Sequence, residues 1–330
     1  MSTSAKMMRA FLVRQFGGID QMKLERVPVP TVGDKQVLIK VYSSGVNPVD
    51  TYVRSGQYKV LPDLPYIPGK DAAGVVHSVG ASVTKFKRGD RVFSSQTNRM
   101  GTLAEYACVD EPNVFPLARS LSFYEGAAIG IPYFTAYRAL IHKALAKGGE
   151  RVLIHGASGA VGIAATQIAK KLGLYVVGTA GSKEGIELVL RTGADEVVNH
   201  RDPKYIDKLS VGEKFDIILE MLSNVNLGHD LNLMNSGART IVIGCRGPVN
   251  IHPRDLMTTE GSIIGCALYA ASHDEIQETG SALVRGIREG WVRPAIDMVY
   301  GFELAREAHS AVVQTRGSKG KHVIEVQKEP

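Results

Sequence analysis

At 330 residues, 44% of them hydrophobic and 22% charged, the chain has the composition of a globular protein of about two domains. No run approaches the ~20 apolar residues of a membrane span, and the start, Met1-Ser-Thr-Ser-Ala5, lacks the blocks of a signal peptide, so membrane and secreted classes are disfavoured. The net charge of +6 implies a general affinity for anions, and Cys108, Cys245 and Cys266, scattered without metal-ligand spacing, point to reduced thiols in a cytoplasmic protein.

The first third reads as short strands between turn signals. Ala10 to Phe16, Gln36 to Tyr42, Ala73 to Val79 and Arg91 to Ser94 are predicted strands, separated by Phe16-Gly-Gly18, Val32-Gly-Asp34 and Arg88-Gly-Asp90. A β-rich, barrel-like domain is therefore expected. Asp71 reads as a turn residue only.

Texture changes at Arg151-Val-Leu-Ile-His155, an apolar run with the pattern of a buried strand. Gly156-Ala-Ser-Gly159-Ala-Val-Gly162 follows, and helical periodicity continues from Val161 to Lys171. A strand, a glycine turn and a helix form a cradle for a pyrophosphate, because backbone N–H groups and the positive end of the helix dipole face the anion. The spacing is G-x-x-G-x-x-G, which a packing turn can also show. Strand and helix signals then alternate: Leu174 to Thr179, a helix Lys183 to Arg191, Glu196 to Asn199, Phe215 to Glu220, a helix Asn226 to Asn235, Arg239 to Gly244, and Ser262 to Leu268. Six strands separated by helices predict a doubly wound parallel sheet, a Rossmann domain in an α/β protein. A helix Ser272 to Glu289, a helix Glu303 to Val313 and a strand Lys321 to Val326 close the chain, the last expected to return to the barrel.

The tip of the second strand of this sheet bears on the dinucleotide. A site for NAD usually places a carboxylate there, to hold the adenosine ribose. Here Leu174 to Lys183 contains no acid, and Ser182 and Lys183 follow Gly181, which suits the 2′-phosphate of NADPH. The alternative is a helix N-cap at Ser182 with Lys183 solvated, and the two roles can coexist. Strand ends place Ser158, Gly159, Ala160 and Val161 on the pyrophosphate, and Gly181, Ser182 and Lys183 on the adenosine phosphate, with His200 near it. Gly244, Cys245, Arg246 and Gly247 fall near the ribose and nicotinamide, Ala267, Leu268 and Tyr269 near the carboxamide; Gly320 and Lys321 are weaker candidates. Basic residues cluster at Lys85, Lys87, Arg88 and Arg91 and again at Arg316, Lys319 and Lys321; these read as solvated faces, with no recognition motif for nucleic acid.

Gly45-Val-Asn-Pro48, Pro68-Gly-Lys-Asp-Ala-Ala-Gly74, Lys87-Arg-Gly-Asp-Arg91, Pro132-Tyr-Phe-Thr-Ala136 and the Gly156 turn, in this order, resemble the medium-chain dehydrogenase/reductase superfamily. The string from Ala127 to Leu140, His155-Gly-Ala-Ser-Gly159 and Asn199-His-Arg201 narrow the resemblance to its zinc-independent branch, the quinone oxidoreductases of the zeta-crystallin type, from Met8 to Val326. The resemblance implies a catalytic GroES-like domain (1–126 and 270–330) around an NADP-binding Rossmann domain (127–269). It implies NADPH-dependent reduction of quinones, with electrons passed singly to ortho-quinones. Zinc-dependent relatives carry a cysteine and a histidine where this chain has Asn47 and Lys70, so no metal is expected. Asn47 and Tyr52 are then expected to orient the quinone carbonyl, with Tyr52 also near the cofactor, Tyr58 a neighbour, and Thr135, read as standing at a helix start, on the nicotinamide edge. Reduction of α,β-unsaturated carbonyls is the alternative enzyme reading. A crystallin-like role or binding of AU-rich single-stranded RNA is the non-enzymatic one. The last sheet strand, Ser262 to Leu268, should lie at an edge and pair across a two-fold axis, giving a dimer or tetramer.

Overall fold

The computed structural model describes residues 6–95, 101–314 and 317–329. The chain divides into two compact units, one holding the described residues of Met1–Ile131, Ile276–Thr315 and Lys321–Pro330, the other those of Pro132–Glu275 and Arg316–Gly320. In chain order the first unit contains β1 (Met7–Val13), β2 (Met22–Pro28), β3 (Gln36–Val46), β4 (Asp71–Val79), β5 (Arg91–Ser94), β6 (Tyr106–Asp110) and β7 (Val114–Pro116). The second contains β8 (Arg151–Ile154), β9 (Tyr175–Ala180), β10 (Glu196–Asn199), β11 (Phe215–Glu220), β12 (Met234–Val242) and β13 (Ser262–Gly265). The chain then returns to the first unit with β14 (Ile296–Gly301) and β15 (Lys321–Glu325).

The first unit is β-rich. Its main sheet runs β14-β15-β3-β4-β5-β7 with β6 also on β3, and β1 and β2 form a separate antiparallel pair. β15 lies antiparallel to β3 with His322 opposite Val46, so the terminal strand does return to this unit. The side chains of Phe11, Ile39, Val41, Val109 and Ile324 fill the core, and Phe11 meets Phe302 edge to face at 5.4 Å. β1 begins earlier than the predicted Ala10, and β2, β6, β7 and β14 were not anticipated. In β2 and β14 charges fall within half-exposed strands, as in Met22-Lys-Leu-Glu-Arg-Val-Pro28, and blur the two-residue period.

The second unit holds six strands in the order β10-β9-β8-β11-β12-β13, all parallel. This is the doubly wound arrangement expected. The order reverses between β8 and β11, and in such sheets ligands bind beyond the strand ends at that switch point. Val152, Leu153 and Ile154 of β8 are wholly buried, as a strand covered on both faces requires. β13 is an edge strand, but it stops at Gly265, and Leu268–Ala270 is a 3-10 turn. The helix expected at Asn226 to Asn235 spans Ser223–Asp230; after a 3-10 turn, β12 is under way at Met234, well before the predicted Arg239. Asn235-Ser-Gly237 has the composition of a break, yet it is carried inside the strand.

Gly162 fixes the distance between helix and turn. A Cβ on it would lie 2.5 Å from Ala157 Cα and 2.6 Å from Gly156 O, so the helix Ala160–Lys171 packs backbone to backbone on the turn. Gly162→Ala should therefore cost about 1–3 kcal/mol of stability by overpacking, read as a lowered midpoint in thermal or denaturant unfolding. An unchanged midpoint would show that the turn can give way.

Candidate functional site

The glycine turn presents its polar groups through the backbone. Gly159 is the N-cap of the helix Ala160–Lys171, in extended conformation and without a capping side chain, so the first-turn N–H groups of Ala160 and Val161 are available to an anion. Gly159 N donates to Gly156 O at 3.0 Å, and Gly320 N donates to Ser158 O at 2.8 Å, which ties the segment before β15 to the turn. Ser158 is buried, with its hydroxyl near Gly185.

The tip of β9 gathers cations. Ser182 caps the helix Lys183–Thr192, accepting from Gly185 N at 3.1 Å, and its hydroxyl also hydrogen-bonds the Glu184 carboxylate. Lys183 is exposed beside it. A Cβ on Gly181 would meet His200 Nε2 at 2.5 Å and Arg201 Nε at 2.9 Å, so both side chains lean over this glycine. His200 Nδ1 faces Thr179 Oγ1 at 3.3 Å, and burial, with His155 and Arg201 nearby, lowers its pKa. Arg201 also lies near Gly317. The sequence reading missed Arg201, although Asn199-His-Arg201 carries part of the family resemblance. The capping role and the cationic rim coexist.

At the end of β12, Cys245 is exposed and donates to Gly247 O at 2.8 Å. Hydrogen bonding from Ser223, supported by nearby backbone groups, lowers its pKa. Arg246 N donates to Asn224 Oδ1 at 2.9 Å. Ala267 is half-buried, while Tyr269 is half exposed in the 3-10 turn beyond β13. Thr135 is buried in the body of the helix Gly130–Tyr137, not at a helix start as expected, because the helix begins two residues before Pro132.

The first unit contributes a buried polar cluster. Asn47 caps the helix Pro48–Ser55, and its backbone N–H donates to Asp50 Oδ2 at 2.8 Å. Burial first, then the charge of Asp71, pushes the Asp50 carboxyl up to about 6. Asn47 Nδ2 donates to Asp71 Oδ2 at 2.8 Å, Lys321 Nζ donates to the same oxygen at 2.9 Å, and Ile131 N donates to Asp71 Oδ1 at 2.8 Å. Lys321 Nζ also donates to Asn47 Oδ1. A carboxylate can only accept and an ammonium can only donate, so these two neighbours fix which way the Asn47 amide points. One Nδ2 proton is left over, which is the donor expected of Asn47. Tyr52 and Tyr58 are half-buried on or just beyond the same helix, Tyr58 against the core.

Two sequence readings change here. Asp71 is no mere turn residue: it is fully buried and joins four segments. Lys321 does not belong to a solvated basic face, being 2% exposed in an ion pair. Elsewhere in the basic segments, Lys87 pairs with Asp90, Arg91 pairs with Glu329 and stacks over Phe123, and Arg316 lies outside the described residues.

Residues 33–119 match the alcohol dehydrogenase GroES-like domain family, and residues 160–285 match the zinc-binding dehydrogenase family. The chain is 53% identical over 328 residues to a quinone oxidoreductase of Sus scrofa, covering 98% of this chain and 99% of that protein. Among solved structures, an NAD-dependent alcohol dehydrogenase superposes with a TM-score of 0.89 at 28% identity, covering 97% of this chain and 100% of the other. A mycobacterial protein complexed with NADPH gives 0.86 at 26%, covering 96% and 99%. The chain belongs to the quinone oxidoreductase family of the medium-chain dehydrogenase/reductase superfamily.

One of the two matching families is named for zinc binding, and the residues can be tested for that ion. Asn47 offers an amide held by an ammonium and a carboxylate, and Lys70 offers a second ammonium. Zinc takes thiolate, imidazole or carboxylate ligands, so this quinone oxidoreductase family member lacks the donor set here. What holds the cluster is the Lys321–Asp71 pair. Lys321→Met should cost about 3–5 kcal/mol, because it strands a buried carboxylate, and denaturant unfolding at neutral pH measures it. Lys321→Met combined with Asp71→Asn should cost less than the two single losses added together. Strict additivity would show the pair uncoupled.

Proposed function

We propose that this chain reduces quinones with NADPH as electron donor and without zinc. The rim at the tip of β9 carries the cofactor choice: His200 and Arg201 lean over Gly181, Ser182 and Lys183 follow it, and none of the four is a carboxylate that would repel a 2′-phosphate. The uncapped helix N-terminus at Ala160 and Val161 would take the pyrophosphate, and the Gly244 to Gly247 and Ala267 to Tyr269 segments the ribose and nicotinamide. NADPH would supply the electrons when bound. Asn47, through its remaining amide proton, and Tyr52, through its hydroxyl, would donate to a quinone carbonyl oxygen as negative charge collects on it. A quinone needs no strong general acid for this, because its reduced form ionises readily. The resemblance to the zeta-crystallin type favours ortho-quinones, with electrons delivered singly.

The direct test is the rate of NADPH oxidation with ortho-quinones, para-quinones and 2-alkenals side by side. Quinones should turn over fastest. Preference for 2-alkenals would move the chain to the reduction of unsaturated carbonyls.

Cofactor choice is tested separately. A charge-assisted hydrogen bond contributes roughly 1.5–3 kcal/mol, so Lys183→Ala and Arg201→Ala should each weaken NADPH binding about ten- to hundred-fold while NADH binding barely changes. Equal losses for both cofactors would mean that the side chains act on the fold instead.

Turnover should also survive a strong chelator. Stoichiometric zinc in the purified protein, with activity lost on its removal, would overturn the metal-free reading.

A further inference from the structure

Beneath the glycine turn lies a cluster that the proposed reaction does not use. His155 follows β8 and directly precedes Gly156, Glu220 is the last residue of β11, and Asp230 ends the helix Ser223–Asp230. All three are buried, at 3%, 0% and 0% exposure. His155 Nε2 lies 2.8 Å from Asp230 Oδ1, and one polar atom from each residue falls within 4.8 Å of the other two. Glu220 Oε1 accepts from Leu222 N at 2.7 Å and from Asn226 Nδ2 at 3.2 Å. The other oxygens, Glu220 Oε2 and Asp230 Oδ2, have no donor among the described residues.

Two bare carboxylate oxygens cannot stand together in a dry core, since like charges there repel strongly and each lacks a hydrogen bond. One proton placed between them answers both problems. We infer that Glu220 and Asp230 share one buried proton, and that this proton, with the His155–Asp230 bond, fastens the glycine turn to the turn that follows β11. Glu220 is then a positioning residue. Its backbone oxygen accepts from Ile243 N at 2.9 Å and Gly244 N at 3.2 Å, and Ser223 N donates to Gly244 O at 3.0 Å. The shared proton therefore sits under the ends of β8, β11 and β12 together. That these ends receive a dinucleotide rests on the proposed function; the proton itself does not.

The surroundings agree. Burial pushes the Glu220 carboxyl up to about 7, with His155 opposing the rise and Asp230 adding to it. Burial works to lower His155, but the Asp230 carboxylate more than reverses this. The remaining groups facing the pair are Tyr205, whose hydroxyl donates to Asn226 Oδ1 at 3.1 Å and whose pKa is raised by burial and both acids, and His200, which lies near His155. Neither brings a positive charge that would discharge the proton at neutral pH.

The sign of the pH effect follows. Burial and the Asp230 charge make the folded chain keep the Glu220 proton well above the ordinary carboxylate range, whereas an unfolded chain releases it near the ordinary value of about 4.3. Stability should therefore fall as pH rises through that window and level off above it.

Glu220→Gln is the informative variant. Gln keeps the Oε1 acceptor for Leu222 and Asn226, and its amide N–H can take the place of the shared proton. The full chain carrying Glu220→Gln should fold and lose most of the pH slope of its unfolding midpoint. Glu220→Ala should lower that midpoint at every pH. In the wild-type chain, infrared difference spectra across the same range should show a protonated-carboxyl band titrating near neutrality, and Glu220→Gln should remove it.

A wild-type band that titrates only in the ordinary acid range, or a Gln variant that keeps the full pH slope, overturns the inference. So does a stoichiometric divalent cation that leaves only when Glu220 or Asp230 is changed, because the two oxygens would then be ligands. The infrared and stability readings need no cofactor. Failure of the NADPH reading would thus appear in the nucleotide titrations alone.

Discussion

A carboxylate sealed from water must find its hydrogen bonds inside the protein, and much of the first unit is arranged around the way Asp71 does so. It receives the Asn47 amide, the Lys321 ammonium and the Ile131 backbone N–H. These groups come from the residue after β3, the start of β15 and the first turn of the helix Gly130–Tyr137, while Asp71 itself opens β4. Four distant stretches of chain are thereby held to one point. Because the pair is buried, a change in any partner is felt as an uncompensated charge and not as one missing contact. The same constraint aims the Asn47 amide, so a folding requirement also sets the direction of the donor that the proposed function assigns to it.

The second unit solves its problem differently. No side chain caps the helix Ala160–Lys171, and the close packing at Gly162 leaves backbone N–H groups as the polar surface of the turn. Backbone donors suit a pyrophosphate because they are fixed by the fold and carry no titrating group. The proposed specificity falls to the β9 tip, where His200 and Arg201 lean over a glycine too crowded to accept a Cβ and Ser182 and Lys183 follow it in sequence. On the proposed function, backbone donors would take the part common to both dinucleotides and side chains the part that distinguishes them, the work being divided between two turns.

The doubly wound sheet was legible because its strands are buried on both faces and its turns carry glycine at fixed offsets; β8, the Gly156 turn and the helix after it were read within a residue or two. The half-exposed β2 and β14 were not, since charges break their alternation, and the buried β6 and β7 are too short to show one. Asn47 could be proposed because a polar residue after Gly45-Val stands out against a family pattern. Asp71 and Lys321 could not, for they are 250 positions apart and nothing local announces that one will neutralise the other. Arg201 was hidden in a similar way: only the three-dimensional path of the chain brings it over Gly181. Long-range charge pairing is the part of a site that a single sequence conceals best.

The cluster around Asn47 also explains why an ammonium and a divalent ion are alternatives at such a place. A zinc site requires ligands that can release protons and lend electron pairs, and it tolerates no second cation close by. Here Asp71 Oδ2 and Asn47 Oδ1 both turn toward Lys321 Nζ, giving to the lysine the lone pairs that a metal would need. A single Asn47→Cys change would not restore a metal site, because the ammonium would still hold Asp71 Oδ2 and repel the dication. The positive charge is already present, built into the chain and buried at 2% exposure. On the proposed function it would act on a substrate only through the amide it orients. A quinone, whose carbonyl oxygens become weakly basic anions on reduction, asks for no stronger electrophile than that.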